Sequence, residues 1–438
     1  MTADPSPRGE SAGTSVTDAD PRPHVVVLGA GFAGLAAVRE LRGAPVRTTL
    51  VDRHSYSTFQ PLLYQVATGA LNPGDITYGA RGFAAHTGAS FRKGAVETVD
   101  PETRTITLDI GPDLHYDYLV IANGVTTNYF GVPGAAENAY PIYTRAEALA
   151  VRDRMTGYLE RIAATGERRG ASVVIVGGGA TGVEMAGTLA ELRNTVLPDR
   201  YPELDPAEVH VVLVEMTDKL LPPFAPKLRE YAAEQLRARG VELRLETAVK
   251  EVRPESVVLA DGSEIEAQMT IWATGVAAHE EIGTWGLRQG RGGRIVVGGD
   301  LRVPEHPEIL VAGDVALIED DPLPQLAQPA LQTGQHAGRT IRRLVAGEPT
   351  ERFRYRDKGT MATVGRGAAV ADIAHGPKLV GVLAWLIWMF VHIFALLGNR
   401  NRIFVSLGLT FRYLAQRRGQ MVVGDPEDRA GLPAHHSR

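Results

Sequence analysis

Cysteine is absent from this chain of 438 residues. Without thiols, the protein cannot form disulfides, bind zinc or an iron–sulfur cluster through thiolates, or use a cysteine nucleophile or dithiol pair. A strong charge of either sign is also lacking, since 46 Lys and Arg stand against 51 Asp and Glu, a formal net charge of -5. This balance disfavours a nucleic-acid partner. The 12 histidines are scattered without metal-ligand spacing, so we expect no metal site.

Glycine, by contrast, is abundant, and two motifs concentrate it. The first is HVVVLGAGFAG, residues 24–34, in which an apolar strand leads into Gly29, Gly31 and Gly34. In G-x-G-x-x-G spacing, the first glycine permits the turn, the second lets backbone approach a pyrophosphate, and the third packs helix on strand. Asp52 ends the next strand, where a carboxylate accepts ribose hydroxyls. The motif predicts a dinucleotide-binding unit.

The second motif repeats this pattern in ASVVIVGGGATGVEMAG, residues 171–187. Gly177, Gly179 and Gly182 hold the same spacing, and Glu215 ends the following apolar strand. A free carboxylate at that position accepts a ribose 2′-hydroxyl and repels a 2′-phosphate. The second unit is therefore predicted to prefer NADH over NADPH. Two such units in one chain favour a fixed flavin in one and a diffusing nicotinamide cofactor in the other.

Three further apolar strands end in small residues and glycine. They are YLVIANG (residues 118–124), TIWATG (270–275) and ILVAGDVA (309–316). In the last, Gly313 and Asp314 follow the strand, a pair that can bind a ribityl chain and flavin phosphates. Each segment alone is also compatible with an ordinary strand end, so these signals only support the glycine motifs.

The C-terminal part combines apolar and basic residues. Leu379–Gly398 is a run of 20 residues without a formal charge, and residues 403–414 place their apolar members on one helical face. These members are Ile403, Phe404, Leu407, Phe411 and Leu414. No acidic residue lies between Asp372 and Asp425, whereas six basic ones do. A basic, apolar end on an acidic body predicts a membrane anchor.

Two questions about this segment stay open at the sequence level. The apolar run is long enough to span a bilayer, but its basic residues follow it and should stay on the cytoplasmic side, like the nucleotide sites. A single span cannot leave both in one compartment, so an in-plane or hairpin-like monotopic anchor is favoured. A buried core helix or a dimer interface is the alternative.

Longer motifs carry a more specific resemblance. They are FQPLLYQVATG (residues 59–69), AQPALQTG (327–334), DKGTMATVGR (357–366) and the C-terminal AWLIW and GNRNR segments. In this order they resemble type II NADH dehydrogenases, the single-chain, non-pumping NADH:quinone oxidoreductases with two dinucleotide-binding domains. The resemblance spans roughly residues 24–418. It implies FAD in the first unit, NADH in the second, a quinone pocket near the flavin and C-terminal helices docked on the membrane.

The expected fold class is therefore α/β, with two Rossmann-like domains and a C-terminal helical membrane anchor. We predict a discontinuous FAD domain with the NADH domain inserted into it. The expected limits are a disordered N-terminus at 1–23, the FAD domain at 24–149 and 280–375, the NADH domain at 150–279, membrane-anchoring helices at 376–418 and a flexible tail at 419–438.

The motifs and the resemblance together give the candidate site residues. For FAD they are Gly29, Gly31, Phe32, Ala33, Gly34, Asp52, Arg53, Gln60, Val96, Ala122, Gly124, Gly313, Asp314 and Gln328. For NADH they are Gly177, Gly179, Thr181, Gly182, Glu184, Glu215 and Gly275. For quinone they are Gln328 and Gln332, which lie four apart and share a helical face. By resemblance, the catalytic candidates are Glu184 and Lys358. A buried lysine at 358 is expected to stabilise an anionic quinol or flavin or to pass a proton, and the alternative is a solvated lysine in a turn.

The predicted function is FAD-dependent oxidation of NADH with electron transfer to a membrane quinone in a respiratory chain, without proton pumping. We expect a homodimer, peripheral or monotopic on the cytoplasmic face of the cell membrane. A sulfide:quinone oxidoreductase would need redox cysteines. The alternatives are a soluble flavin reductase with a protein acceptor and an NADH-sensing flavoprotein without significant turnover.

Overall fold

The computed structural model describes residues 20–166, 171–202 and 204–415. Of the N-terminus predicted to be disordered, residues 1–19 lie outside the described residues. The tail predicted at 419–438 lies outside them entirely. The chain divides into three stretches, because the strands of the first sheet come from both its beginning and its later part.

The first stretch builds most of one sheet. Its strands are β1 (His24–Leu28), β2 (Arg47–Asp52), β3 (Tyr56–Thr58), β4 (Thr77–Gly79), β5 (Ser90–Lys93), β6 (Val96–Asp100), β7 (Thr105–Leu108), β8 (Leu114–His115), β9 (Tyr118–Ile121), β10 (Thr126–Thr127) and β11 (Ala139–Pro141). Its helices are α1 (Phe32–Leu41), α2 (Leu63–Ala67), α3 (Ala80–Thr87) and α4 (Ala135–Asn138).

The second stretch builds the other large sheet. Its helices are α5 (Arg145–Thr165), α6 (Ala180–Glu191), α7 (Leu197–Arg200) and α8 (Pro226–Ala238). Its strands are β12 (Ala171–Val176), β13 (Val209–Val214), β14 (Val241–Arg244), β15 (Val249–Arg253), β16 (Ser256–Leu259), β17 (Glu264–Glu266), β18 (Met269–Trp272) and β19 (Val276–Ala277). A π-helical turn, Leu192–Val196, joins α6 to α7.

The third stretch completes the first sheet and ends in helices. Its strands are β20 (Ile295–Val297), β21 (Ile309–Val311), β22 (Ala316–Ile318), β23 (Thr360–Gly365), β24 (Ala368–Asp372) and β25 (Lys378–Val380). Its helices are α9 (Ala327–Val345), α10 (Gly381–Ala395) and α11 (Asn399–Ala415).

Both large sheets are parallel and have five strands. The first has the order β21-β9-β1-β2-β5, and the second has the order β11-β18-β12-β13-β14. Strands β1 and β12 are near-continuous apolar runs, as expected for strands covered on both faces. In each sheet the chain order reverses beside the central strand, which opens a crevice for a dinucleotide at the carboxyl ends.

The α/β class with Rossmann-like sheets is thus confirmed. The first sheet is completed only by β21, and the strands of the second sheet lie between β9 and β21 in the chain. Strand β11 precedes residue 150 yet pairs in parallel with β18 of the second sheet. The domain limits given above stay predictions.

The apolar C-terminal run does not form one helix. It begins in β25, continues as α10, leaves the helix after Ala395 and ends at Gly398, whose φ is +78°. Ala384 and Trp388 are fully buried on one side of α10, whereas Phe390 and Phe394 are 70% and 66% exposed on the other. In the described part of the chain, no helix is both long and apolar enough for a bilayer crossing.

Candidate functional site

The first glycine turn lies at the carboxyl end of β1. Gly29 has φ +100°, and a Cβ there would overlap the Ala122 carbonyl oxygen. A Cβ on Gly34 would overlap the Gly29 carbonyl oxygen, so the third glycine lets α1 pack on β1. Among the described residues, nothing lies within 4 Å of a Cβ built on Gly31. The turn is therefore closed beneath the backbone and open at its middle glycine, as a pyrophosphate requires.

Asp52 supports this turn from the end of β2. Its Oδ2 accepts the backbone N–H of Ala30 at 2.6 Å, and its Oδ1 accepts that of His54 at 2.6 Å. Each carboxylate oxygen has a second lone pair available for a ligand hydroxyl. Asp52 can thus order the glycine turn and still accept a ribose hydroxyl.

The second glycine turn repeats the first at the end of β12. Gly177 has φ +112°, and a Cβ there would lie 2.7 Å from Thr274 Cβ. A Cβ on Gly182 would overlap the Gly177 carbonyl oxygen, while one on Gly179 would have no neighbour within 4 Å in the part of the chain described. In both motifs, therefore, the first and third glycines are tightly packed and the middle glycine faces open space. Thr181 lies exposed in the first turn of α6.

Glu215 has the same role at this turn as Asp52 at the first. Its Oε2 accepts the Gly178 N–H at 2.6 Å, and its Oε1 accepts the Thr217 N–H at 2.8 Å. Gly31 and Gly179 are the N-cap residues of helices α1 and α6, which carry no acidic residue in their first turns, both of which are described. Free N–H groups and the positive end of the helix dipole then face the space where a phosphate fits.

The remaining flavin candidates line the crevice of the first sheet. Gly124 and Gly313 have φ of +71° and +77°, and the Gly313 N–H donates to Thr333 Oγ1 at 2.9 Å. Burial raises the pKa of the half-buried Asp314 to about 6, opposed by the guanidinium of Arg294 and by a hydrogen bond from Tyr143. Tyr143 and Arg294 belong to no glycine motif, so neither was predicted as a site residue from the sequence.

Unpaired buried acceptors provide a direct test of whether FAD fits here. Within the described residues, Gln60 Oε1, Gln65 Oε1 and Asn123 Oδ1 are buried without a hydrogen-bond partner. Buried acceptors are normally paired, and a flavin ring with its ribityl chain offers N–H and O–H donors. Asn123 adjoins Gly29, and Gln60 follows Phe59, which packs on Phe32, so these two side chains with the opening at Gly31 fit FAD, whereas Gln65 belongs to the cluster around Glu184. Of Gln60, Gln65 and Asn123, only Gln60 was identified from the sequence as a flavin contact.

The other FAD candidates surround the same turn. Phe32 packs edge-to-face on Phe59, with ring centroids 5.8 Å apart. Ala33 and Ala122 are buried, Arg53 is exposed, and Val96 is half-buried at the start of β6. Their contacts with a cofactor stay predictions.

Glu184 lies in a buried cluster where α6 meets β23 and α10. Its Oε1 accepts the Thr363 N–H at 3.3 Å. Burial raises the pKa of this carboxyl from 4.5 to about 8, opposed by the Thr363 N–H and the nearby Trp388 indole. The Trp388 Nε1 itself has no partner of good hydrogen-bond geometry among the described residues. Glu184 is therefore protonated at neutral pH and can act as a proton donor.

The sequence analysis missed the aromatic and polar neighbours of Glu184. Gln65 Nε2 donates to the Tyr64 hydroxyl at 2.7 Å, and this hydroxyl lies 3.4 Å from Thr363 Oγ1. The His392 ring stacks on Trp388 with centroids 4.2 Å apart and meets Phe59 edge-to-face at 6.3 Å. Burial lowers the pKa of His392 to about 4, so this histidine is neutral at physiological pH. The FQPLLYQ motif carried the available signal for Phe59, Tyr64 and Gln65.

The two candidate glutamines of α9, Gln328 and Gln332, differ in their hydrogen bonding. Gln332 donates from Nε2 to the Arg356 carbonyl at 2.9 Å and accepts the Arg356 N–H at its Oε1 at 3.0 Å. In this conformation the Gln332 amide fixes the segment before β23. Gln328 is half-buried in the first turn of α9. The quinone contacts of both glutamines and the flavin contact of Gln328 stay predictions.

Lys358 does not match the expected burial. It is exposed, one residue before Gly359, which has φ +93° and donates its N–H to Asp357 Oδ1 at 2.8 Å. The interpretation as a buried lysine is therefore wrong, because the Asp357–Gly359 turn projects this part of the chain to the surface. A catalytic role for Lys358 stays a prediction.

Family comparisons agree with this geometry. A family model described as pyridine nucleotide-disulphide oxidoreductase matches residues 23–334, and one described as NDH2 C-terminal domain matches residues 358–418. The chain is 35% identical over 424 residues to the type II NADH:quinone oxidoreductase NdhA of Mycobacterium tuberculosis, covering 92% of this chain and 89% of that relative. It is 30% identical to the Staphylococcus epidermidis type II NADH:quinone oxidoreductase over 83% of this chain and 92% of that relative.

Solved structures show the same fold. NDH2 from Plasmodium falciparum in complex with NADH aligns with a TM-score of 0.83 at 20% identity, over 91% of this chain and 99% of that one. The sulfide:quinone oxidoreductase of Aquifex aeolicus aligns with a TM-score of 0.72 at 20% identity, over 90% and 95% of the two chains. At these identities the likeness concerns the fold alone.

Proposed function

Because the chain belongs to the type II NADH:quinone oxidoreductases within the pyridine nucleotide-disulphide oxidoreductase family, we propose that it oxidises NADH and reduces a quinone at a membrane surface. The observation that carries the proposal is the pair of glycine turns, each open at its middle glycine and closed elsewhere. Two dinucleotides in one chain suit electron transfer between a nicotinamide and a flavin. The absence of cysteine disfavours sulfide and disulfide substrates.

FAD would be held in the first unit. The Gly31 opening and the N-terminus of α1 would receive its pyrophosphate, Asp52 would accept a ribose hydroxyl, and Gly313 and Asp314 would hold the ribityl chain. When bound, FAD supplies hydride acceptance and two-electron release to a quinone. The buried acceptors near it, such as Gln60 Oε1, then gain donors.

NADH would be held in the second unit by equivalent groups. Gly179 leaves room for the pyrophosphate, and Glu215 accepts the adenosine ribose hydroxyls. The Glu215 carboxylate is already fixed by two N–H groups, so it presents a rigid negative charge to the 2′ position. A 2′-phosphate is repelled there, which favours NADH over NADPH.

Reduction of a quinone to a quinol requires protons as well as electrons. Glu184 holds a proton at neutral pH because burial raises its pKa to about 8. Its Oε1 is engaged by the Thr363 N–H, so Oε2 is the atom available to donate. Gln328 and Gln332 on α9 and the exposed Lys358 are the other proposed contacts of the reaction. A proton pump needs a relay of ionisable groups in the membrane, and the apolar run contains one such residue, His392.

Membrane docking is proposed for the outer face of α10 and α11. Exposed apolar side chains line both helices: Val382, Leu383, Leu386, Phe390, Val391, Phe394, Ile403, Phe404, Leu407 and Phe411. Lys378 and Arg400 are exposed beside them and can contact anionic headgroups. An amphipathic helical pair of this kind lies in the interface plane. Attachment to the cytoplasmic face of the cell membrane is part of the proposal, and the homodimer stays a prediction.

Anaerobic flavin spectroscopy tests the proposed electron transfer from NADH through the flavin to a quinone. We expect the purified protein to carry flavin, to be bleached by NADH and to be reoxidised by a quinone analogue. Bleaching without reoxidation would instead indicate a reductase with a protein acceptor or a sensor. The absence of flavin would contradict the central proposal.

A vesicle experiment tests docking. Replacing the stacked, exposed Phe390 and Phe394 by serine should reduce sedimentation with anionic vesicles while leaving turnover with a water-soluble quinone unchanged. Ile110→Ser is the matched control, since Ile110 is also exposed but lies in the body. Undiminished vesicle binding by the double variant would contradict docking through this face.

A further inference from the structure

An exposed aromatic side chain lies beside the nucleotide crevice of the second sheet. Phe130 follows β10, is 62% exposed, and has φ +53°. A left-handed backbone is unfavourable for a bulky residue and persists only where its surroundings hold it, which occurs often at ligand sites. None of the sites described above uses Phe130.

Asn128 holds this loop against the end of β18. The Phe130 N–H donates to Asn128 Oδ1 at 2.8 Å, and the Trp272 indole N–H donates to the Asn128 carbonyl at 2.9 Å. The Asn128 N–H donates to the Gly275 carbonyl at 3.1 Å. The Tyr129 ring packs on Trp272 with centroids 5.7 Å apart. The strained conformation of Phe130 is therefore fixed by its neighbours.

The Phe130 ring lies directly on Gly275. A Cβ built on Gly275 would overlap the ring at Cε2 and Cζ. Gly275 also has φ +71°, so a side chain there would be strained even without the ring. Because Gly275 has no side chain, the Phe130 ring can lie at this strand end, beside the crevice.

The sheet order indicates which half of the dinucleotide meets this ring. The pyrophosphate position at Gly179 lies above β12, and Glu215 at the end of β13 marks the adenosine side. Strand β18 flanks β12 on the opposite side, at the reversal of strand order where dinucleotides cross. Gly275 and Phe130 therefore lie on the nicotinamide side.

We propose that Phe130 is a positioning residue whose ring forms an apolar wall for the nicotinamide half of NADH. This inference rests on the proposed function, since it requires NADH in the second unit. The loop backbone that carries the ring is fixed by Asn128 before the ligand arrives, so little freedom of the loop is lost on binding. The wall carries no charge and suits both oxidation states of the nicotinamide.

The test compares two ligands on the flavin-loaded, full-length protein. Calorimetry should show NAD⁺ binding weakened about tenfold in Phe130→Ala, the order expected when ~60 Å² of apolar contact is lost. Binding of ADP, which lacks the nicotinamide riboside, should be unchanged. Steady-state kinetics should show a similar rise in KM for NADH with little change in kcat, and Phe130→Leu should restore most of the affinity.

Two further variants separate this effect from folding. Ile110→Ala removes a side chain with 64% exposure elsewhere and should bind NAD⁺ like the wild type. Phe130→Asn removes the ring but tolerates positive φ, so its thermal midpoint should not fall while its NAD⁺ affinity does. Unchanged NAD⁺ affinity in Phe130→Ala and Phe130→Asn, or an equal loss for ADP, would overturn the inference. Failure of the wild type to bind NAD⁺ would instead overturn the proposed function.

Discussion

Replacing Glu184 by glutamine should stabilise the protein in a pH-dependent way. The folded carboxyl has a pKa of about 8 against an ordinary value of 4.5. Between these pH values the folded state keeps a proton that the unfolded state has released, so stability falls as pH rises through the window and levels off above pH 8. Glutamine mimics the protonated carboxyl at every pH and avoids this loss.

The magnitude follows from the width of that window. The loss grows by about 1.4 kcal/mol per pH unit above 4.5. The gain of Glu184→Gln over the wild type should therefore be about 1 kcal/mol at pH 5.5, about 3 kcal/mol at pH 7 and about 5 kcal/mol above pH 8. The pKa of Tyr64 lies well above its ordinary 10.0, so the neighbouring phenol stays neutral throughout this range.

The assay is urea unfolding of the flavin-loaded enzyme without NADH at pH 5.5, 7 and 8.5. The difference between variant and wild type cancels the titration of the other groups. Glu234→Gln is the control, because Glu234 is an exposed carboxyl on α8. A gain of equal size at pH 5.5 and 8.5, or no gain, would show that the Glu184 carboxyl is not held in its protonated form.

Three further predictions concern the glycine turns and a buried ion pair. Gly31→Ala should leave the thermal midpoint of the flavin-free protein unchanged but reduce the bound flavin absorbance, whereas Gly29→Ala, which meets the Ala122 carbonyl, should destabilise the fold. Gly179→Ala should keep the flavin but weaken NADH binding at least tenfold in a titration. Normal NADH affinity in this variant would show that the space at Gly179 does not receive the pyrophosphate. Arg412→Met should cost about 1–3 kcal/mol in urea unfolding, since it removes the guanidinium from a Glu191 carboxylate that is 15% exposed and keeps the Arg366 N–H, and adding Glu191→Gln should recover part of this.

The nucleotide-binding parts could be predicted because their information is local. A G-x-G-x-x-G turn needs its strand, glycines and helix within about a dozen residues, and the acid follows on the next strand. Asp52 and Glu215 then lie where the sequence placed them, each tied to its turn by an N–H group. The exposed apolar face predicted for α11 is also present at Ile403 and Phe411, because helical periodicity needs no distant partner.

Other features depend on contacts between distant parts of the chain. In the sequence Arg412 counts among the basic residues of a membrane-facing segment. In the structure it is buried and bound to Glu191 at 2.7 Å, 221 residues away. Phe130 and Gly275 meet only because β10 pairs with β19. Lys358 was misjudged for the same reason, since its burial depended on a turn that a resemblance does not define.

Helix α6 explains why these distant contacts matter to the site. Its first turn borders the pyrophosphate position proposed for NADH, Glu184 lies one turn further on, and Glu191 at its end binds Arg412 of α11. Gly187 lies so close to β23 that a Cβ would overlap the Val364 carbonyl, which holds α6 against the strand that donates to Glu184. A displacement of α11 would therefore act on the helix that carries the proposed nucleotide contacts and the proposed proton donor. The C-terminal helices are thus connected to the chemistry through packing, even though no motif in the sequence links them.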